Sequence, residues 1–494
     1  MKTDFNSVAL GLTLSLGVAA CGDDGGKTSV EPPNHYEFQS RFDSSKSSVS
    51  YSGQTARHIM IADLTAYLGR LDTAIRKDDY SNVPFFDPNA IEETCHADLV
   101  AAFNRYFRAG VGEVPWLDDE PMLLTTDPPK LASQVTYGDI SKEKNLVGKL
   151  AGNDTSTDAV DWSVSLANVI EINVLGESHT PSSPTELVDT IFAKVAEFAC
   201  DAIVNGVPAE PIYVDEMGVD HQQLLQKFLL GAVALSQGAD DYLDDDLDGK
   251  GILSPNTRDG EALHTKLEHA WDEGFGYYGA AVAALSMDLA SIAGPGHEDV
   301  DGDGFIDLRT EKNYGASTNA AKRDRGACVP TRITEDAMRA FIAGRHLISR
   351  AGEELTEAEL EELRGYRDAA VMAWEQAIAA TAIHYANECL ADLAALRAED
   401  DSYSRVTHAK HWSEMVGFLM SLQFSPHSPW LVRGNGAESG PTLEFLELLE
   451  LAGGAPRTDE DAEDALIALR EALGDAYGFA LANVQGDGAD CAGW

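Results

Sequence analysis

The stretch from Thr356 to Leu396 constrains the fold most. It opens with Thr356 and Glu359 at the spacing of a capping box, holds a helical apolar pattern and contains no proline, so it predicts the longest helix of the chain. Helical patterns flank it on both sides. Glu186 to Ile203 places Leu187, Ile191, Val195 and Phe198 on one face, and His221 to Leu243 does so with Leu225, Phe228, Leu229 and Ala232. A central helix is expected from Gly260 to Ala293, then others over Thr334–Arg350, Tyr403–Gln423, Thr442–Leu451 and Asp459–Phe479. Nearer the start, Ser52 or Gly53 caps a helix with Ile59, Leu64 and Leu68 inward, and Ala90–Phe107 forms the next. Residues 110–158 are rich in Pro, Asp and Gly and read as loops with a short helix near Lys142, while Trp162–Val174 fits strand or helix equally. No linker interrupts residues 185 to 480 and no fixed repeat recurs. The expectation is therefore an all-α fold: a large helical array of two bundles sharing a seam, about 51–330 and 331–482, with long N-terminal loops.

The first residues carry a different message. Lys2 precedes an apolar and small-residue run, Val8–Ala20, that is too short to span a bilayer, and Val18, Ala19 and Ala20 lead into Cys21. This resembles a bacterial lipoprotein signal, in which the cysteine is lipidated and becomes the mature N-terminus. Gly22, standing where an aspartate would retain the protein in the inner membrane, implies anchoring in the outer membrane. Residues 21–50 read as a flexible tether and 483–494 as a Gly- and Asp-rich tail. No later run is apolar enough for a transmembrane helix.

The chain has 6 cysteines. With Cys21 lipidated, an odd number remains, so one or two disulfides are expected in an oxidising compartment, with Cys491 stapling the tail. None forms a CxxC pair, which argues against a cysteine zinc site. The net charge of −46 argues against nucleic acid as a partner and against electrostatic adhesion to anionic lipid.

Two polar stripes run along the central helix. His264, Glu268 and Asp272 recur every four residues, and His269 and Glu273 repeat that spacing one position on, so each set stands in a row on a helix. The segment His408–Glu414 adds His408, His411 and Glu414. Two readings fit: a hydrogen-bonded seam between helices, or a metal held between them. In the second, His269, Asp272, Glu273, His411 and Glu414 are the ligands, with His264, Glu268, His384 and His408 supporting them. Histidines with carboxylates suit iron(II), zinc or manganese. His384 and Glu388, four apart, fit a bonded core pair or a site wall, and a buried Arg345 or Arg339 would need these acids as partners.

Residues 299–311 hold the most specific local pattern. Asp299, Asp301 and Asp303 occupy positions 1, 3 and 5 of a calcium loop, Gly304 position 6, the Phe305 carbonyl position 7 and Asp307 position 9. Position 12 is Thr310, and Glu311 follows it, so the bidentate glutamate is displaced. Calcium here, of extracellular affinity, competes with a plain acidic turn. The poorer run Asp244–Asp248 reads as a solvated loop. The chain lacks GxSxG, HExxH, P-loop, GxGxxG and CxxCH motifs, which leaves serine hydrolase, zincin, NTPase, dinucleotide and covalent haem chemistries without support.

Six phrases, among them SVSYSGQTARHIMIADL (49–64), KLEHAWDEGFGYYG (266–279), GFIDLRTEKNYGASTNAAKRD (304–324) and KHWSEMVGFLMSLQFSP (410–426), resemble a family of bacterial surface lipoproteins catalogued as domain of unknown function 4856, over about residues 35–455. The chain is more distantly similar to imelysin-like proteins, helical lipoproteins linked to iron uptake and nominally classed as peptidases. Their GxHxxE signature has His411 and Glu414 here, with Ala409 in place of glycine. What the resemblance implies is an outer-membrane lipoprotein that captures a metal ion or a metal-carrying ligand in iron uptake, in company with an outer-membrane receptor. A metal-dependent hydrolase of imelysin type and a non-catalytic scaffold are the alternatives, and binding without turnover is expected because no metallopeptidase motif is present.

Overall fold

Side-chain caps set many of the helix starts. The Thr356 hydroxyl accepts the Glu359 N–H while the Glu359 carboxylate takes the Thr356 N–H at 2.9 Å, and Thr265 and Glu268 repeat the device. Ser183, Ser404 and Thr442 each accept an N–H of the first turn. The computed structural model describes residues 31–87, 91–125, 132–153, 170–432, 440–486, 488 and 491–494. The signal segment, Cys21 and the first part of the expected tether lie outside them.

The described chain is all-α, 56% helical with 14 α-helices. They are α1 (Ser52–Lys77), α2 (Ile91–Phe107), α3 (Tyr137–Ile140), α4 (Pro184–Asn205), α5 (His221–Leu229), α6 (Lys266–Tyr278), α7 (Leu289–Ala293), α8 (Gly315–Gly326), α9 (Ile333–Arg350), α10 (Glu357–Arg397), α11 (Arg405–Ser421), α12 (Leu443–Ala452), α13 (Ala462–Ala476) and α14 (Leu481–Gln485). Two hairpin scraps, Ile172–Val174 with Glu177–His179 and Leu431–Val432 with Gly440–Pro441, are antiparallel. Ile172–Val174 is thus strand, and Trp162–Asn168 lies outside the described residues. No helix of the described residues is long and apolar enough to cross a membrane.

The 41-residue α10 is the axis. It packs on α9, α11, α13 and α8, while α11 leans on α5. Trp374, Ala377, Ile383 and Cys389 are all but fully buried along α10. Residues 33–494 form one compact unit, in which helices from both expected bundles interlock along α10.

Two departures from the periodicity matter later. The expected helix Gly260–Ala293 breaks into α6 and the short α7, because Gly279, at φ 82°, takes the left-handed cap that ends α6. His264 therefore precedes the helix. Downstream of α5, residues Leu230–Tyr242 widen into a 13-residue π-helix, a rare form whose apolar spacing is indistinguishable from an α-helix in the sequence.

Residues 33–50 are body rather than tether. Tyr36 is fully buried and stacks on Phe275 with ring centroids 3.7 Å apart, so the packed body includes residues well before Tyr51. Disulfides Cys95–Cys200 and Cys328–Cys491 tie α2 to α4 and the tail to the loop after α8. The Trp494 indole, buried, donates to the Arg323 carbonyl at 2.8 Å, so the tail is stapled as expected. Cys389 is free and buried.

Candidate functional site

The two polar stripes resolve into separate networks. Asp272 and Glu268 face α9, where the wholly buried Arg345 places Nε 2.8 Å from Asp272 Oδ1 and Nη1 3.1 Å from Glu268 Oε1. Tyr36 donates its hydroxyl to Asp272 at 2.8 Å and the Ser50 N–H adds a bond at 3.0 Å. Burial raises the Asp272 carboxyl above its ordinary value although Arg345 pulls it down. The remaining groups are equally engaged. His269 Nδ1 meets the Ser50 carbonyl at 3.2 Å, its ring stacks on His264, and Glu273 takes a bond from Gln54 at 2.8 Å.

His411 and Glu414 have other partners. His411 Nδ1 lies 2.8 Å from Asp392, and Glu414 Oε1 lies 3.0 Å from Lys227 Nζ. His408 touches the Tyr403 hydroxyl at 3.5 Å. His384 packs against the Tyr385 ring, and among the described residues no hydrogen bond joins it to Glu388. The single metal site spanning His269, Asp272, Glu273, His411 and Glu414 is corrected accordingly. The first three bond to α1, α9 and the 33–51 segment, the last two to α10 and α5, and the acids already hold cations or amides of the protein. The seam reading accounts for the stripes, and the buried Arg345 found its acids where the sequence placed them.

Among the described residues, the group of His, Cys, Asp or Glu side chains close enough to share a metal is Asp299, Asp301 and Asp303, whose oxygens lie within 4.8 Å of one another. All three are exposed. The loop is shaped by its own backbone: Gly302 and Gly304 donate to the two Asp299 oxygens at 2.7 and 2.9 Å, Asp303 N–H to Asp301, and Phe305 N–H to Asp303. Gly302 and Gly304 stand at φ 75° and 89°, where a side chain would strain the turn. Glu311, the displaced glutamate, is buried at 7% exposure and accepts the N–H groups of Val300, Asp301 and Asp307 at 2.8, 3.3 and 2.8 Å. It pins the two ends of the loop and is committed to that task. Asp307 is held by Arg309 at 3.0 Å and Gln134 at 2.9 Å, so its side chain is engaged away from the triplet. Burial alone would raise the Asp307 carboxyl, but the Arg309 hydrogen bonds bring it below the ordinary range.

This donor set suits a hard cation. Three carboxylates converge with no cationic side chain among them, and Asp301 and Asp303 each give one oxygen to an N–H and keep the other. Oxygen-only ligation with solvent completing the shell is calcium chemistry rather than that of iron or zinc.

The loop borders a cleft of 1040 Å³. Its far wall is the segment 35–52, and its near wall includes Val300, Asp301, Arg309 and Glu311. Tyr51, which also lines the cleft, donates its hydroxyl to the Arg309 carbonyl at 2.9 Å. Sequence spacing found the loop. It missed the cleft, because the 35–52 wall was assigned to a tether, and it missed Asp392, although His384, Glu388 and Asp392 continue one four-residue stripe.

Residues 201–430 match the family described as Domain of unknown function (DUF4856). The acidic loop, α6, the π-helix and α11 fall inside the match, and the 35–52 wall of the cleft falls outside it. No curated protein and no solved structure matches the chain.

Proposed function

We propose that this chain is an outer-membrane lipoprotein that binds its ligand without transforming it, and that calcium in the 299–303 loop fixes one wall of the binding cleft. The observation that carries the reading is the double membership of Asp301, which belongs both to the carboxylate triplet and to the cleft wall. Asp299, Asp301 and Asp303 would hold the ion. Calcium supplies the charge that lets three carboxylates stay together, and the chain itself does the rest: Glu311 ties the loop ends, and Gln134 and Arg309 hold Asp307 so that the loop cannot swing. Two disulfides suit an exported protein, and the Cys21 context suits a lipid anchor.

Calorimetric titration of chelator-stripped protein with calcium should give one saturable site in the ~0.1–1 mM range of extracellular modules, weaker with magnesium and lost in Asp301→Asn. Absence of a saturable signal, or an unchanged one in Asp301→Asn, sinks the calcium reading. For the anchor, Cys21→Ser should shift the protein from the membrane to the soluble fraction. Retention in the membrane would refute lipidation at Cys21.

A further inference from the structure

Glu375 stands apart from the other buried carboxylates of the described residues. Each of those holds a cation or a backbone N–H. Asp272 and Glu268 close on Arg345, Glu414 on Lys227 and Asp72 on Arg76. Asp63, Asp215, Asp220, Asp244 and Glu311 accept N–H groups of the main chain. Glu375, at 0% exposure on α10, has neither. Its Oε2 accepts the Tyr477 hydroxyl at 3.1 Å, and its Oε1 has no hydrogen-bond partner.

The carboxyl lies at a joint of three pieces. α10 carries it. Tyr477, buried, caps the end of α13, and its carbonyl accepts the Gln376 side-chain N–H at 3.4 Å. The turn after α11 brings the buried Trp430 against the Tyr477 ring, with centroids 6.5 Å apart. The charged groups of these pieces face elsewhere. Arg367 of α10 is joined to Asp245 and Asp368, Arg470 of α13 reaches Asn387, and His427 of the turn lies 3.8 Å from Asp244. Among the described residues, no charged side chain of α8, α9 or α11 bears on the carboxyl either. A carboxylate without water, cation or amide is costly to ionise. Burial pushes the Glu375 carboxyl up to about 7, with the Ser425 and Tyr477 hydroxyls opposing.

We propose that Glu375 is a proton-operated lock on this joint: neutral, it lets Tyr477 and the 425–430 turn close on α10, and ionised, it loosens them. The fold holds the proton from the ordinary 4.5 up to about 7, so the closed joint keeps a proton that the opened one has released. Closure is tightest below pH 4.5, weakens as pH rises to 7 and weakens no further above it. The lock shares no residue with the calcium loop and stands independently of it.

The test is hydrogen exchange read by mass spectrometry on the full chain, in the parent and in Glu375→Gln at the same pH. Glutamine keeps the shape of the neutral acid and cannot ionise. In peptides covering 425–430 and Tyr477, the ratio of parent to variant exchange rates should rise at least tenfold from pH 5 to pH 8, the equivalent of one pKa unit. The rise should be confined to the joint, as local opening requires. If Glu375→Gln fails to fold, Tyr477→Phe carries the test. It removes the hydroxyl that eases the anion, so the turn should outpace the parent more at pH 8 than at pH 5. A ratio that is the same at both pH values, in whichever variant folds, overturns the proposal, as does a rise spread evenly over the whole chain.

Discussion

Two carboxylate clusters in this molecule differ in one respect. Around Arg345, Asp272 and Glu268 are buried to 0% and 1% exposure and close on a cation that the fold itself provides. Around Asp301, three carboxylates converge at the surface with no cationic side chain among them. The first cluster is complete and holds α6, α9 and the 33–51 segment together. The second has no cationic side chain of the protein to close on. A set of like charges therefore points to a ligand where the protein has not supplied the opposite charge.

The sharpest way to break the comparison is Arg345→Leu. Buried Asp272 would lose its cation and Glu268 would keep only Arg41, at 3.3 Å, and denaturant unfolding should show a loss of about 3–5 kcal/mol. A loss under about 1 kcal/mol would mean that the buried cluster is not the closed unit described. Next in size is Glu311→Gln, in which three backbone N–H groups lose a charged acceptor. About 2 kcal/mol of stability should go, together with calcium affinity, because the loop ends come apart.

The pH dependence probes the burial of His384 on α10. His384, held down to about 3 against an ordinary 6.5, stays neutral in the fold while the unfolded chain takes up a proton below pH 6.5. Its contribution is therefore full above pH 6.5 and falls away as pH drops toward 3, by about 1 kcal/mol per pH unit inside that window. The denaturation midpoint should gain less between pH 5 and 6.5 in His384→Gln than in the parent. The smallest effect is expected for Lys322→Ala, an exposed side chain whose loss should leave stability within about 0.5 kcal/mol of the parent.

Much of the helical order was legible because caps and apolar spacing are local. Thr356 and Glu359 announce their helix in the sequence, and the triplet of Asp299, Asp301 and Asp303 is legible for the same reason. What was illegible depends on residues far apart. Nothing near Tyr36 reveals that it stacks on Phe275, so the N-terminal wall read as tether. The four-residue stripe of His264, Glu268 and Asp272 could not tell a metal from an arginine, because Arg345 stands 73 residues beyond Asp272. The π-helix stayed hidden because the apolar residues Ala232, Val233, Leu235 and Ala239 suit either helical form. Glu375 gave no signal at all, since a glutamate in a helix is ordinary until its burial is known.

Thermal unfolding of chelator-treated protein with rising calcium, run on the parent and on Asp301→Asn, tests the central claim most directly. The parent should melt higher as calcium rises, reaching a stabilisation of about 2.7 kcal/mol at a hundredfold excess over Kd, with Asp301→Asn flat across the series. A parent curve that calcium leaves unmoved, or an equal rise in both proteins, would contradict it.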